Sequence, residues 1–142
     1  MTPLSDILEA DPDPRHFASA RIRNARAKAH TAKVAPSIWH ENKGGNVSSH
    51  PFSCALRAGA SYNYLLVDGV RRLTPREMFR LQGFPDTYTM PSSVAAARRL
   101  TGNAVNVPVV RAVLEGVLNV YESDESAAER EEAGVRGAVA SR

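Results

Sequence analysis

The sequence predicts an α+β chain in which a small, irregular, strand-containing region is followed by C-terminal helices. Three observations carry this. Tyr64–Val67 and Val70–Leu73 flank Asp68-Gly69, a pair suited to a two-residue hairpin because both positions favour positive φ. Thr74-Pro75-Arg76-Glu77 combines a capping Thr, a Pro at the first helical position and a Glu three residues after the cap. Val109, Val110, Val113, Leu114, Val117 and Leu118 recur at helical spacing, with Arg111 and Glu115 on the other side.

At the start, Leu4, Ile7 and Leu8 make a short amphipathic segment, punctuated by Pro12 and Pro14. Phe17–His30 is Ala- and Arg-rich and predicts a helix. Arg15, Arg21, Arg23, Arg26, Lys28 and Lys33 make this region basic, either to meet phosphate or simply as a solvated face. Ser37–His40 reads as a strand, Glu41–Ser49 as a loop containing Gly44-Gly45-Asn46, and Pro51–Leu56 as a second extended piece. Ala58-Gly59-Ala60-Ser61 is a turn. The helix that begins at Thr74 turns Met78 and Leu81 inward and closes at Gly83, and Phe84-Pro85-Asp86 forces a turn. A further helix is expected from Ser93 to Leu100, ending near Gly102, and a last one over Val105–Tyr121.

The chain has 142 residues, 43% hydrophobic, with a net charge of +3. That charge is uneven. Glu122–Arg142 holds six acidic residues and three arginines, a net of −3, which leaves +6 for the 121 residues before it. The basic part suits a polyanionic partner. The acidic tail lacks a sustained apolar face and is expected to be disordered. One cysteine, Cys54, excludes an intramolecular disulfide and argues against a thiolate metal site; no metal is expected. No apolar run is read as long enough to span a bilayer, which takes about 20 residues. The first residues carry no secretory pattern, so a cytoplasmic location and no membrane partner are expected.

Arg72-Leu73-Thr74-Pro75-Arg76-Glu77-Met78-Phe79-Arg80-Leu81-Gln82-Gly83-Phe84-Pro85-Asp86 resembles the ninth motif of bacterial DNA (cytosine-5) methyltransferases, and Gly102-Asn103-Ala104-Val105-Asn106-Val107-Pro108-Val109-Val110 resembles the tenth. Ser37–Ser48 and Ser53–Arg57 look like that family's variable target-recognition region, and the resemblance spans about residues 4–121. It implies four stretches: an N-terminal helical segment (1–33), a target-recognition region with the ninth-motif helix (34–88), tenth-motif helices that dock on a catalytic domain (89–121), and the acidic tail (122–142).

The family's Gly-rich S-adenosylmethionine loop, its Pro-Cys-Gln nucleophile, its Glu-Asn-Val acid and its Gln-x-Arg-x-Arg motif have no counterpart in these 142 residues. Cys54 sits in Phe-Ser-Cys-Ala and reads as a small buried hydrophobe. The resemblance therefore implies no catalytic residue here. Methylation at cytosine C5 needs a thiolate that adds at C6 of a base flipped from the duplex. Some family members are split into two polypeptides, and this chain resembles the small one, starting with Met where such a subunit would start. Its helices would then complete a Rossmann-like α/β methyltransferase domain supplied by a large subunit carrying Pro-Cys-Gln. A truncated inactive remnant and a freestanding sequence-specific DNA-binding module are the alternatives.

By resemblance, Asn103, Ala104 and Val105 would lie beside S-adenosylmethionine, in a site shared with the partner chain, although Arg98-Arg99-Leu100-Thr101 depart from the family pattern just before them. Lys43, Gly44, Gly45 and Asn46 would meet double-stranded DNA. Glycines let backbone approach the duplex, Lys43 suits phosphate or guanine, and Asn46 suits a base edge. Arg57, Arg71 and Arg72 are further candidate contacts. Thr74, Pro75, Arg76, Glu77, Arg80, Gln82 and Gly83 are expected to organise the recognition region, with an internal Arg–Glu pair and a phosphate contact both open at this helix. A restriction-modification system is the expected setting.

Overall fold

The computed structural model describes residues 2–121, so the acidic tail expected to be disordered lies outside the described residues. The chain divides into two units, one up to Asn106 and one from Val107 onward.

The first unit is built on a three-stranded antiparallel sheet in the order β2-β1-β3. The strands are β1 (Ile38–Glu41), β2 (Val47–His50) and β3 (Leu65–Val67). The central strand pairs Ile38 with His50 on one side and with Val67 on the other. Strand β2 corrects the expected loop over Glu41–Ser49 and the expected extended piece over Pro51–Leu56. Asn42 closes a five-residue turn by accepting at Oδ1 from the N–H groups of Gly44 (2.9 Å) and Asn46 (3.0 Å). Once the turn is closed that early, polar Val47–His50 becomes the edge strand.

The Asp68-Gly69 turn forms as expected, with φ of 49° and 69°. Its second arm is shorter than Val70–Leu73, because only Arg71 pairs back, with Val67. The remaining contacts of the turn go elsewhere: Asp68 Oδ1 accepts from the Ser37 N–H (2.8 Å) and hydroxyl (2.9 Å). A Cβ on Gly69 would stand 2.8 Å from the Trp39 ring, so the indole packs directly on the turn backbone.

Helix α1 is the single turn Leu4–Ile7, and α2 spans Ala20–Ala29. Helix α3 (Pro75–Leu81) begins with the expected capping box: the Thr74 hydroxyl accepts from the Glu77 N–H, and the Glu77 carboxylate accepts from the Thr74 N–H. It ends in a Schellman turn, with Gly83 at φ 82° and the Phe84 N–H donating to the Phe79 carbonyl (3.0 Å). Phe79, Phe84 and Tyr88 then pack together, with ring centroids 4.9–5.4 Å apart. Helix α4 (Val94–Asn103) is capped by Ser93 and ends close to the expected stop near Gly102. Gly102 lies inside it because the helix touches the backbone of the preceding turn: a Cβ there would sit 2.2 Å from the Ala58 nitrogen.

Two apolar clusters fill this unit. One joins Leu4, Ile38, Leu65, Val67, Leu73 and Met78, with Cys54 and Leu81 packed against it. The other joins Ala18, Trp39 and Leu66.

Of the second unit, residues 107–121 are described and form helix α5. Its valines and leucines are exposed, from 38% at Val107 to 62% at Val120. Within Val94–Tyr121 an 18-residue window reaches a mean hydropathy of 1.2, apolar enough to cross a membrane by length and composition alone. This corrects the reading that no run is long enough. The helix is nevertheless interrupted over 104–106, and Arg98, Arg99, Arg111 and Glu115 lie within the stretch.

Candidate functional site

The side chains nominated from sequence fall into three places. The first is the tip of the β1–β2 hairpin. Lys43, Gly44, Gly45 and Asn46 are all exposed, with Gly45 in the left-handed region at φ 81°. The Asn42 side chain holds this backbone by accepting from the Gly44 and Asn46 N–H groups.

The second place is a small pocket lined by Arg57, Tyr62, Tyr64, Arg72 and Arg98 among others. The Arg57 guanidinium lies 4.9 Å from the centre of the Tyr64 ring, and those of Arg72 and Arg98 lie 4.7 and 4.2 Å from the centre of Tyr62. Arg72 Nε donates to Asn63 Oδ1 (2.9 Å), and Arg98 donates to the Ala60 carbonyl (2.8 Å). Burial pushes the Tyr64 hydroxyl above its ordinary pKa; this hydroxyl accepts from the Arg57 N–H at 2.9 Å. Burial also lowers His40, which faces Tyr64 edge-on, and Arg57 reinforces that shift. The Glu41 N–H donates to the Tyr64 carbonyl (2.9 Å), so a residue that lines the pocket pairs with the last strand residue before the hairpin tip.

Arg98, Tyr62 and Tyr64 were missed from sequence. The alternation Tyr62-Asn63-Tyr64 between Arg57 and Arg72 was a usable signal for the tyrosines. Nothing local marked Arg98, which arrives from a helix 26 positions after Arg72. Arg71 needs correction. It is 7% exposed, and its two terminal nitrogens bond both oxygens of fully buried Glu77, at 2.7 and 2.8 Å. Arg71 thus faces the interior rather than a surface that DNA could approach.

Glu77 is the organiser of the ninth-motif segment. Besides Arg71 and Thr74, it accepts from the Glu9 N–H (2.8 Å), tying the N-terminal segment to the hairpin and to α3. The internal Arg–Glu pair left open at this helix is therefore present, with Arg71 as the arginine. Arg80 pairs with Asp86 (2.6 Å), holds the Ile7 carbonyl (3.0 Å), and keeps the Asp86 carboxyl below its ordinary range. Arg76 reaches the Tyr88 carbonyl at 3.3 Å.

The third place is the Asn103-Ala104-Val105 segment. Gln82, just after α3, donates its amide to the Thr101 carbonyl (2.6 Å) and more weakly to that of Ala104 (3.4 Å). Asn106 donates to the Leu81 carbonyl (3.0 Å). The ninth- and tenth-motif segments are thereby clasped together, with Asn103 and Val105 left exposed.

Burial raises the Cys54 thiol, opposite to what a nucleophile needs. Among the described residues, no group of three His, Cys, Asp or Glu could hold a metal ion.

Residues 14–119 match the C-5 cytosine-specific DNA methylase family. The Type II methyltransferase M.NgoBI of Neisseria gonorrhoeae is 55% identical over 113 residues, covering 78% of this chain and 36% of that protein. The Type II methyltransferase M.HaeII of Haemophilus aegyptius is 50% identical over 119 residues, covering 82% of this chain and 37% of the relative. The Type II methyltransferase M.NlaX of Neisseria lactamica is 33% identical over 120 residues, covering 80% and 38%. The chain thus spans little more than a third of the length of these relatives. No solved structure matches it.

Proposed function

The chain belongs to the C-5 cytosine-specific DNA methylase family, and from that premise we propose that it is the DNA-recognition and cofactor-pocket-completing subunit of a split DNA (cytosine-5) methyltransferase. In this reading a second polypeptide supplies the Pro-Cys-Gln nucleophile and most of the S-adenosylmethionine site. The bound cofactor supplies the methyl group. This chain's residues orient the duplex and close one wall of the pocket, and they take no chemical step themselves.

The observation that carries the proposal is the clasp made by Gln82 and Asn106. It joins the end of α3 to the segment that bears Asn103–Val105, and both belong to the same unit as the sheet that bears Lys43–Asn46. A protein that only read DNA would have no need for the second. A body that holds both sets the distance between the recognised base pairs and the cofactor, which is the positioning that a methyl transfer demands. Lys43 would neutralise phosphate and Asn46 would read a base edge. Asn103, Ala104 and Val105 would meet the methionine end of the cofactor.

The exposed valines and leucines of α5 support a large partner. Apolar side chains repeating on consecutive turns and more than half exposed at Val109, Val113 and Val117 are costly to leave in water, and burial stabilises each by about 1.5–3 kcal/mol. The test is association. Mixed with a polypeptide carrying the family's first eight motifs, this chain is expected to co-elute as a 1:1 complex, and Val113→Asp with Val117→Asp is expected to abolish the complex. Separate elution of the wild-type chains would contradict the split-subunit reading.

A further inference from the structure

We propose that Arg57, Arg72 and Arg98, gathered around Tyr62 and Tyr64, form a seat for a phosphate oxyanion, and that the phosphate is one of the DNA backbone. The DNA source rests on the function proposed above; the oxyanion chemistry does not.

The argument begins with charge. Arg15, Arg26, Arg71 and Arg80 each have a carboxylate within 4 Å, on Asp13, Glu41, Glu77 and Asp86. Arg57, Arg72 and Arg98 have none among the described residues, yet all three line one pocket. Gathering like charges is unfavourable unless something offsets it. The two tyrosine faces do so in part, since a guanidinium over an aromatic ring is attracted by the ring quadrupole. They offer no in-plane acceptor, however, and an oxyanion does.

Geometry points the same way. Each guanidinium has five N–H donors. Arg98 uses one on the Ala60 carbonyl, and Arg72 uses its Nε on Asn63 and reaches the Phe17 carbonyl only at 3.5 Å. These contacts, with the stacking on Tyr62, fix the two side chains while leaving most of their donors unused. Arg57 is held over Tyr64, whose hydroxyl is itself anchored by the Arg57 N–H and the Ala55 carbonyl. A planar guanidinium fixed in place loses little entropy when it binds a tetrahedral anion through two parallel bonds. Tyr64, which lines the seat, accepts at its carbonyl from the N–H of Glu41, the last strand residue before the Lys43–Asn46 loop. A backbone phosphate held there would set the register in which the loop meets the bases.

The test has two arms, both with the full chain. In the first, a fluorescein-labelled duplex is titrated across a KCl series with wild type, Arg98→Gln, Arg57→Gln and Arg98→Lys. Each glutamine variant is expected to weaken binding about three- to tenfold and to lower the salt slope by about one, whereas Arg98→Lys, which keeps the charge but loses the planar fork, keeps the slope while losing part of the affinity. Arg57 is exposed, so its variant keeps the test valid if Arg98→Gln fails to fold. In the second arm, inorganic pyrophosphate is added at constant ionic strength and arginine Nε–H resonances are followed. Those of Arg57, Arg72 and Arg98 are expected to move and that of Arg71 to stay. Wild-type affinity and slope in both glutamine variants would overturn the seat while leaving DNA recognition standing. Resonances that do not move would overturn it too. Resonances that move in a chain that binds no duplex would overturn the DNA source and the recognition role together.

Discussion

Arg71 and Glu77, six residues apart in the chain, meet through two parallel hydrogen bonds of 2.8 and 2.7 Å in the interior of the first unit. The carboxylate also receives the N–H groups of Thr74 and Glu9, so its acceptor positions are filled from three separate segments. Removing one partner of such a pair strands the other charge, which costs about 3–5 kcal/mol. Glu77→Ala is therefore expected to unfold the chain at markedly lower urea, read by the fluorescence of the single tryptophan, Trp39. Asp86→Ala, which breaks an ion pair on the surface, is expected to move the midpoint little. Equal midpoints for the two variants would contradict the hub role of Glu77.

Gly102 is expected to tolerate no side chain. With a Cβ placed 2.2 Å from the Ala58 nitrogen, α4 must pull away from the turn, and overpacking of this kind costs about 1–3 kcal/mol or more. Gly116→Ala meets nothing within 4 Å and is expected to be neutral or slightly stabilising, as alanine is the better helix former. Thermal melts of the two variants check this.

Stability is expected to fall in two stages on acidification. Burial lowers His16 and His40 from the ordinary 6.5, with Arg15 and Arg57 respectively adding to the shift. Above that pH both are neutral in either state. As the pH drops through 6.5, the unfolded chain takes up protons first, and stability is lost. Glu41 and Asp86 are held low by hydrogen bonds from Arg26 and Arg80, so their contribution is present above the ordinary carboxylate range and disappears as the pH falls through their folded values. Urea midpoints measured between pH 7.5 and 5.5 should decline in wild type, and the decline should flatten in His16→Gln with His40→Gln.

Two changes in the hairpin tip separate affinity from specificity. Lys43→Ala is expected to weaken binding of all duplexes by a similar factor and lower the salt slope by about one. Asn46→Ala is expected to reduce discrimination between the preferred site and a single-base variant, by about 1–3 kcal/mol if the contact is bidentate. Binding isotherms on matched and mismatched duplexes distinguish the two.

Cys54→Ala is expected to leave methyl transfer by the assembled enzyme unchanged, because the thiol is packed against the core and held protonated by burial. A thousandfold loss in a folded variant would make it the nucleophile.

What could be read in advance was whatever local chemistry decides. The Thr74–Glu77 cap, the positive φ at Asp68 and Gly69, and the stop at Gly83 are each set by a few neighbouring residues. The family resemblance likewise rests on contiguous letters. Errors came where a distant contact decided. Val47–His50 is too polar to announce a strand, but the Asn42 side chain closes the turn early and pairs it with β1. Arg71 looked like a solvated hairpin arginine until Glu77, one turn into the next helix, drew it inside. Arg98 and Gly102 gain their meaning only from Tyr62 and Ala58, some 40 residues earlier in the chain.

The central claim is that this chain completes a methyltransferase it cannot replace. The most direct test is transfer of labelled methyl groups from S-adenosylmethionine to duplex DNA, by this chain alone and mixed with a polypeptide carrying the first eight motifs. The account predicts incorporation at cytosine C5 only in the mixture, with Asn103→Ala raising the cofactor concentration required. Methyl transfer by the 142-residue chain alone, or none in the mixture, would contradict it.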